Sequence, residues 1–168
     1  MKIIGLSGKM GSGKSTLAKH IMSKYSDVVV EKVAADLYGI QDYIYNRLGL
    51  TMIGEKDRDL LIAIGMWGRG KSPSLWTDCC FNRIAKLSNE VVIIDDIRFP
   101  EEALAVEKLG GILVRIDGIQ RGPNVDPKSF TSTSECALDN WDFKHRVNNS
   151  GTQEETIKQL EAILNSGG

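Results

Sequence analysis

Apolar residues along this chain fall into two kinds of run that alternate from end to end. Short, nearly unbroken runs read as buried strands: Lys2-Ile3-Ile4-Gly5-Leu6, Val28-Val29-Val30-Glu31-Lys32-Val33, Glu90-Val91-Val92-Ile93-Ile94 and Ile112-Leu113-Val114-Arg115-Ile116. A fifth, Phe143-Lys144-His145-Arg146-Val147, alternates and so belongs at or near a sheet edge. Between them the apolar positions recur at helical spacing. Leu17, Ile21 and Met22 predict a helix from about Lys14 to Tyr25, and Leu37, Ile40, Ile44 and Leu48 predict one closed by Gly49. Leu60, Leu61 and Ile64 form a stripe that ends at Gly65-Met66-Trp67-Gly68-Arg69-Gly70. Ser72-Pro73 then opens a helix carrying Trp76, Cys79 or Cys80, Arg83 or Ile84, and Leu87. Pro100-Glu101-Glu102 starts another, stopped by Gly110. The last, with Ile157, Leu160 and Leu164 on its buried stripe, follows the capping box Thr152-Gln153-Glu154-Glu155.

Strands that alternate with helices predict an α/β protein, a three-layer α/β/α arrangement around a five-stranded parallel sheet with right-handed crossovers. At 168 residues the chain is expected to form one domain, residues 1–168, with a helical insertion at about 36–88. A polar, turn-rich stretch covers about 118–135. The formal net charge of −1 gives no basic field that would point to nucleic acid or to an acidic membrane. Cys79, Cys80 and Cys136 make an odd count without metal spacing, which suits reduced thiols; Cys79 and Cys80 are read as core packing. No apolar run approaches the roughly 20 residues of a membrane span, and the chain enters a strand at once, so a soluble cytoplasmic protein is expected.

The chemistry concentrates after the first strand. Gly8-Lys9-Met10-Gly11-Ser12-Gly13-Lys14-Ser15, followed by Thr16, has the spacing of a phosphate-cradling loop, and it lies between a strand and a helix as that motif requires. Its glycines let backbone N–H groups approach phosphates at a helix N-terminus, where the dipole favours anions. Lys14 should reach the β- and γ-phosphates of ATP, and the Ser15 hydroxyl should bind Mg²⁺. The run Val91 to Ile94 ends in Asp95-Asp96, and one of these carboxylates is expected to order the metal. Asp36 follows the second strand, either as a ligand at its carboxyl end or as the N-cap of the next helix; the two are compatible. Arg58, Arg69, Arg98 and Arg121 add cations outside the core, and Arg121, in the 118–135 stretch, is read as part of a lid over the transferring phosphate. This arginine supply suits an acceptor that is itself a phosphate, which needs no general base; a hydroxyl acceptor would need a carboxylate such as Asp36 to take its proton. No Asn-Lys-x-Asp motif occurs, which argues against a guanine-reading switch.

Beyond the loop, ordered blocks run the length of the chain: Ala35-Asp36-Leu37, Arg58-Asp59-Leu60-Leu61 through Ile64-Gly65 to Arg69, then Trp76, and Asp96-Ile97-Arg98-Phe99-Pro100-Glu101-Glu102. They continue with Gly110-Gly111-Ile112 and Arg115, Ser134-Glu135 with Leu138, and Asn149-Ser150-Gly151-Thr152. In these blocks the sequence resembles the bacteriophage deoxynucleoside monophosphate kinases of the P-loop kinase superfamily. The chain departs from that family's pattern at Met66-Trp67 and in having Ser and Thr, not His, shortly before Ser134. The resemblance implies a P-loop kinase fold with a helical acceptor region and a lid, and transfer of the γ-phosphate of ATP, with Mg²⁺, to a nucleoside monophosphate. It places Lys14 and Ser15 at ATP and Mg²⁺, Asp95 or Asp96 at the metal, and Arg98, Arg69 and Asp36 at the acceptor. With the residues read above, the candidate site is Gly8, Met10, Gly11, Ser12, Gly13, Lys14, Ser15, Thr16 and Arg121 for ATP, Ser15 with Asp95 or Asp96 for the metal, and Asp36, Arg58, Trp67, Arg69 and Arg98 for the acceptor. Lys14, Arg98, Arg121 and Asp36 would carry the reaction, in a monomer or homodimer without nucleic-acid or membrane partners. A small-molecule kinase with a hydroxyl acceptor, of the dephospho-coenzyme A kinase kind, is the alternative; a nucleotide-driven switch is the third.

Overall fold

The computed structural model describes residues 1–54, 56–118 and 133–166 of the chain. Its described elements run β1 (Lys2–Ser7), α1 (Lys14–Lys24), β2 (Val28–Glu31), α2 (Ala35–Leu48), α3 (Arg58–Lys71), α4 (Leu75–Ile84), β3 (Val91–Ile97), α5 (Pro100–Lys108), β4 (Ile112–Asp117), α6 (Thr133–Cys136), β5 (His145–Asn148) and α7 (Gln153–Ser166). The five strands form one parallel sheet in the order β2-β3-β1-β4-β5. The chain divides into two compact units, Met1–Glu31 with Ser88–Gly168, and Lys32–Leu87.

The first unit holds the sheet. Side chains alternate across a strand, so the unbroken apolar runs clothe both faces. On one face Ile4, Leu6, Val91, Ile93 and Val114 pack with Leu17 and Ile21 of α1 and with Leu160 and Leu164 of α7. On the other, a Cβ added at Gly5 would lie 3.1 Å from Val106 of α5 and 3.2 Å from Leu113, so α5 covers that side. Ile4, Leu6, Val91, Val92, Ile93 and Ile94 have no exposed surface, and each such side chain contributes roughly 1.5–3 kcal/mol of burial. The expected three layers are therefore present. Met22, expected on the buried stripe of α1, is 45% exposed; Ala18 takes its place in the core. The expected capping box opens α7: the Thr152 N–H donates to Glu155 Oε2 at 2.8 Å, and the Glu155 N–H donates to Thr152 Oγ1 at 3.2 Å.

Two features of the sheet aim chemistry at its carboxyl edge. Asp95 and Asp96 lie within β3, next to its last residue, Ile97. There Gly5 pairs with Ile94 and Ser7 with Ile97, so two steps on β1 match three on β3. The extra residue is a bulge at the two aspartates, a device that re-aims side chains where pairing must end.

The second unit is the helical insertion, and it corrects the sequence reading in three places. Asp36 is not a cap, because Ala34 occupies that position and Asp36 lies in the first turn of α2. The third helix does not stop at Gly65 but continues through Gly68 and Gly70 to Lys71. Glycine costs about 1 kcal/mol in a helix interior, yet here it admits the Trp76 indole, whose Nε1 donates to the Gly65 carbonyl at 3.1 Å; a Cβ on Gly68 would overlap the ring. Tertiary packing outweighs propensity. Finally, Ser72 to Leu75 is a turn, with the Leu75 N–H on the Ser72 carbonyl at 3.1 Å, so the next helix starts at Leu75. Asp57 caps α3 by accepting the Leu60 N–H at 3.0 Å, and the Tyr45 hydroxyl donates to its other oxygen at 2.8 Å. Its own N–H donates to Gln41, which is 1% exposed, at 2.8 Å.

Candidate active site

The loop from Gly8 to Ser15 joins β1 to α1 and has the backbone that the glycine spacing demands. Gly13 stands before α1 at φ 100° and Gly8 at φ 154°; a Cβ on Gly8 would come within 2.7 Å of the Ile116 carbonyl, and one on Gly13 would overlap the Asn149 side-chain amide. Gly13, at the N-cap, makes no side-chain cap and no acid lies in the first turn of α1, which among the described residues leaves its positive end open to an anion. Ser12 is 2% exposed, and its hydroxyl has no hydrogen-bond partner among the described residues. A buried hydroxyl without a partner at a helix start is what a phosphate oxygen would satisfy. Ser15 and Thr16, next in the helix, are exposed.

Lys14 is half-buried and folds back over the loop, donating to the Gly8 carbonyl at 2.5 Å and the Lys9 carbonyl at 2.9 Å. Desolvation, followed by the nearby Arg98 guanidinium, lowers its pKa to about 8; Glu135 and Asp95 oppose the shift, and Arg115 adds to it. Such a cation, short of solvent, is stabilised by a polyanion. Of the two candidate aspartates, Asp95 is the one whose charge acts on Lys14. Both glycines and the lysine therefore fit a bound triphosphate, and Ser15 with Asp95 provides the hard oxygen donors that Mg²⁺ prefers.

Arg98 follows β3 directly, and both its ends are held. Its backbone N–H donates to Glu102 Oε2 at 2.7 Å, an oxygen that also accepts the Phe99 N–H at 3.0 Å where α5 begins. Its guanidinium pairs with Glu135. Glu135 in turn accepts the Met10 N–H at 2.8 Å through its second oxygen. In the sequence Glu135 stands only in a family-like block, Ser134-Glu135 with Leu138. In the folded chain it joins the phosphate loop to Arg98, a link between residues 125 positions apart that no local signal encodes. Arg115 likewise carries no signal of its role in the sequence. It is 7% exposed, donates to Ser7 Oγ at 3.3 Å and to Asp139 at 3.0 Å, and Asp139 also pairs with Lys9 at 3.2 Å. From the segment between β5 and α7, Asn149 supports the loop: its amide donates to the Ser12 carbonyl at 2.8 Å and accepts from the Thr156 hydroxyl at 2.9 Å.

Of the residues expected at the acceptor, Asp36, Arg58, Trp67 and Arg69 lie in the helical unit, whereas Arg98 belongs to the first unit. Asp36 pairs with Arg83, whose other terminal nitrogen donates to the Lys32 carbonyl at 2.8 Å. Arg83 was seen in the sequence only as a position on helical period. Arg58 is the first residue of α3 and exposed; Arg69, near its end, donates to the Gly65 carbonyl at 3.4 Å. Trp67 is 59% exposed, with the Lys71 ammonium 5.9 Å from its ring centre. An open cleft of about 490 Å³ is lined here by Asp36, Gly39, Ile40, Tyr43, Trp76 and Cys79. Cys80 is fully buried, whereas Cys79 faces this cleft. Arg121 and most of the expected lid fall outside the described residues.

No protein-family model matches the chain, and no curated protein matches it by sequence. Solved structures do. A shikimate kinase from Aquifex aeolicus superposes with a TM-score of 0.56 at 20% identity, covering 99% of both chains. A gluconokinase from Sinorhizobium meliloti gives 0.53 at 17%, covering 98% of this chain and 92% of its own. A shikimate kinase from Bacteroides thetaiotaomicron gives 0.52 at 16%, covering 98% of each. The fold is that of the P-loop kinases. Identities this low carry the fold and not the substrate. Among the described residues, no helix is long and apolar enough to cross a membrane.

Proposed function

We propose that the protein is an ATP-dependent kinase that transfers the γ-phosphate to a nucleoside monophosphate, a deoxynucleotide by resemblance. One observation carries this reading above others: Arg98, in the block Asp96-Ile97-Arg98-Phe99, is tied through Glu135 to Met10 of the loop that carries Lys14. A second fixed cation beside the donor lysine suits an acceptor that brings its own negative charge. Gly8, Gly11, Ser12, Gly13 and Lys14 would hold the β- and γ-phosphates of ATP through backbone N–H groups and the ammonium, with Ser15 and Thr16 at the helix start. Ser15 and Asp95, or Asp96, would hold Mg²⁺, which when bound offsets charge on the phosphate oxygens. Arg98 would hold the acceptor phosphate in line. One of its oxygens bonds to the γ-phosphorus as the bond from that phosphorus to the bridging oxygen of ADP breaks, and no proton need be removed. In the helical unit Asp36, Arg58 and Arg69 are the polar candidates for the sugar and phosphate, and the Tyr43, Ile40 and Trp76 cleft is apolar enough to suit a base.

A second reading draws on the neighbours in structure, which are named for shikimate and gluconate, molecules with hydroxyl acceptors. There Asp36 would be the base. The experiment is direct: incubate the protein with Mg·ATP and each of a panel of nucleoside and deoxynucleoside monophosphates, dephospho-coenzyme A, shikimate, gluconate, or no acceptor, and follow ADP and products. Diphosphate formed from a monophosphate is expected. Product from a hydroxyl acceptor alone would replace the leading reading, and ADP formed without any acceptor would favour a nucleotide-driven switch.

A further inference from the structure

Glu135 is a carboxylate placed among groups that bind anions. Its element α6 is a single turn, yet the side chain is only 2% exposed. Burying a carboxylate is unfavourable unless its oxygens are paired, and both are: one accepts the Met10 N–H at 2.8 Å, the other the Arg98 guanidinium. The two donors belong to different elements, the loop after β1 and the segment after β3. Arg98 is fixed a second time through its backbone, by Glu102 at 2.7 Å. One glutamate therefore sets where Arg98 leaves the sheet, and another sets where its charge ends. The arginine side chain keeps 32% of its surface exposed, so part of its donor fork is available to a ligand.

Resting on the kinase reading above, we infer that Glu135 is a positioning residue: it ties Arg98 to the phosphate loop and fixes its guanidinium relative to Lys14 before substrate arrives. Arg98 and Arg115 each repel Lys14, and Glu135 acts on the lysine with the opposite charge. An arginine without this tether would lose its rotamer freedom only on binding, with its orientation set at that moment. Glu135 does not obstruct the donor. It takes the N–H of Met10, on the shoulder of the loop, whereas the N–H groups at the start of α1 carry no side-chain cap.

Two measurements on the full chain test this. In ¹⁵N-arginine NMR, with the Arg98 signal assigned from an Arg98→Lys sample, Glu135→Gln should speed exchange of the guanidinium protons with water by about tenfold or more. In kinetics with Mg·ATP and the preferred acceptor, Glu135→Gln should lower kcat by about tenfold with KM for Mg·ATP within about threefold. In an Arg98→Ala background the same change should alter kcat by less than about twofold. Glu135→Asp keeps the charge but draws it back by one carbon, and should show the same pattern more weakly even if the glutamine variant does not fold. An unchanged Arg98 signal, or equal loss of kcat in both backgrounds, overturns the assignment, because a role in stability alone would not depend on Arg98. Wild type that shows the tethered Arg98 signal but phosphorylates no acceptor overturns the kinase reading and not the tether.

Discussion

The phosphate loop and the helical unit of residues 32–87 are held by different means. The loop is fixed by backbone: glycines at positive φ, an uncapped helix start, and a lysine turned onto two carbonyls of its own loop. The helical unit is fixed by side chains: an indole against two glycines, a buried glutamine under a capping aspartate, and an arginine across the start of α2. Backbone devices tolerate few substitutions and are written in a short contiguous stretch. Side-chain devices depend on partners many positions apart, and so can be re-paired to suit another ligand.

The largest effect should come from the loop. Lys14→Met removes its ammonium and should lower turnover by about a hundredfold or more, with secondary structure and melting behaviour retained; a variant that keeps near-normal turnover would break the comparison at its stronger end. The helical unit should respond in stability instead. Gly68→Ala places a methyl against the Trp76 indole and should destabilise the protein by about 1–3 kcal/mol, read from denaturant unfolding followed by tryptophan fluorescence. Mg·ATP affinity, measured by calorimetry, should stay within about threefold of wild type. A large loss of affinity would mean that the two regions are not separable.

The smallest effect concerns Asp57. The Leu60 N–H, and after it the Tyr45 hydroxyl, hold its pKa below the ordinary carboxylate value. A folded-state pKa that is depressed adds stability above the unfolded value of about 3.9 and loses it as pH falls through the folded value. Asp57→Asn should therefore be less stable than wild type near neutral pH, and the two should converge in acid; denaturation curves at several pH values would reveal it. A difference that persists unchanged at the lowest pH would remove the ionised cap from the account.

Much of the fold was legible because its signals are local. The strand cores, the helix starts at Lys14 and Pro100, the capping box at Thr152 and the left-handed glycine after Leu48 each need only a few neighbouring residues to be recognised. The failures share one cause. Gly65 to Gly70 reads as a helix end by propensity, but α3 continues because Trp76, beyond the next turn, packs against Gly68. Asp36 offers a cap by residue type, but Ala34 precedes the helix and Arg83 claims the carboxylate. Nothing near Glu135 in the sequence signals that its charge is drawn to Met10 and Arg98.

The sequence by itself determined that a strand, a tightly turned glycine loop and a helix would follow one another, because that loop is built from the conformations of eight successive residues. It also determined the parallel sheet, because runs apolar on both faces can be buried in few other ways. Only the tertiary structure decided which charges meet: Asp95 with Lys14, Arg98 with Glu135, Asp36 with Arg83. The reason is physical. A backbone conformation is set by the residue that adopts it and its neighbours, whereas an ion pair is set by where two distant segments come to lie, and that depends on the packing of everything between them.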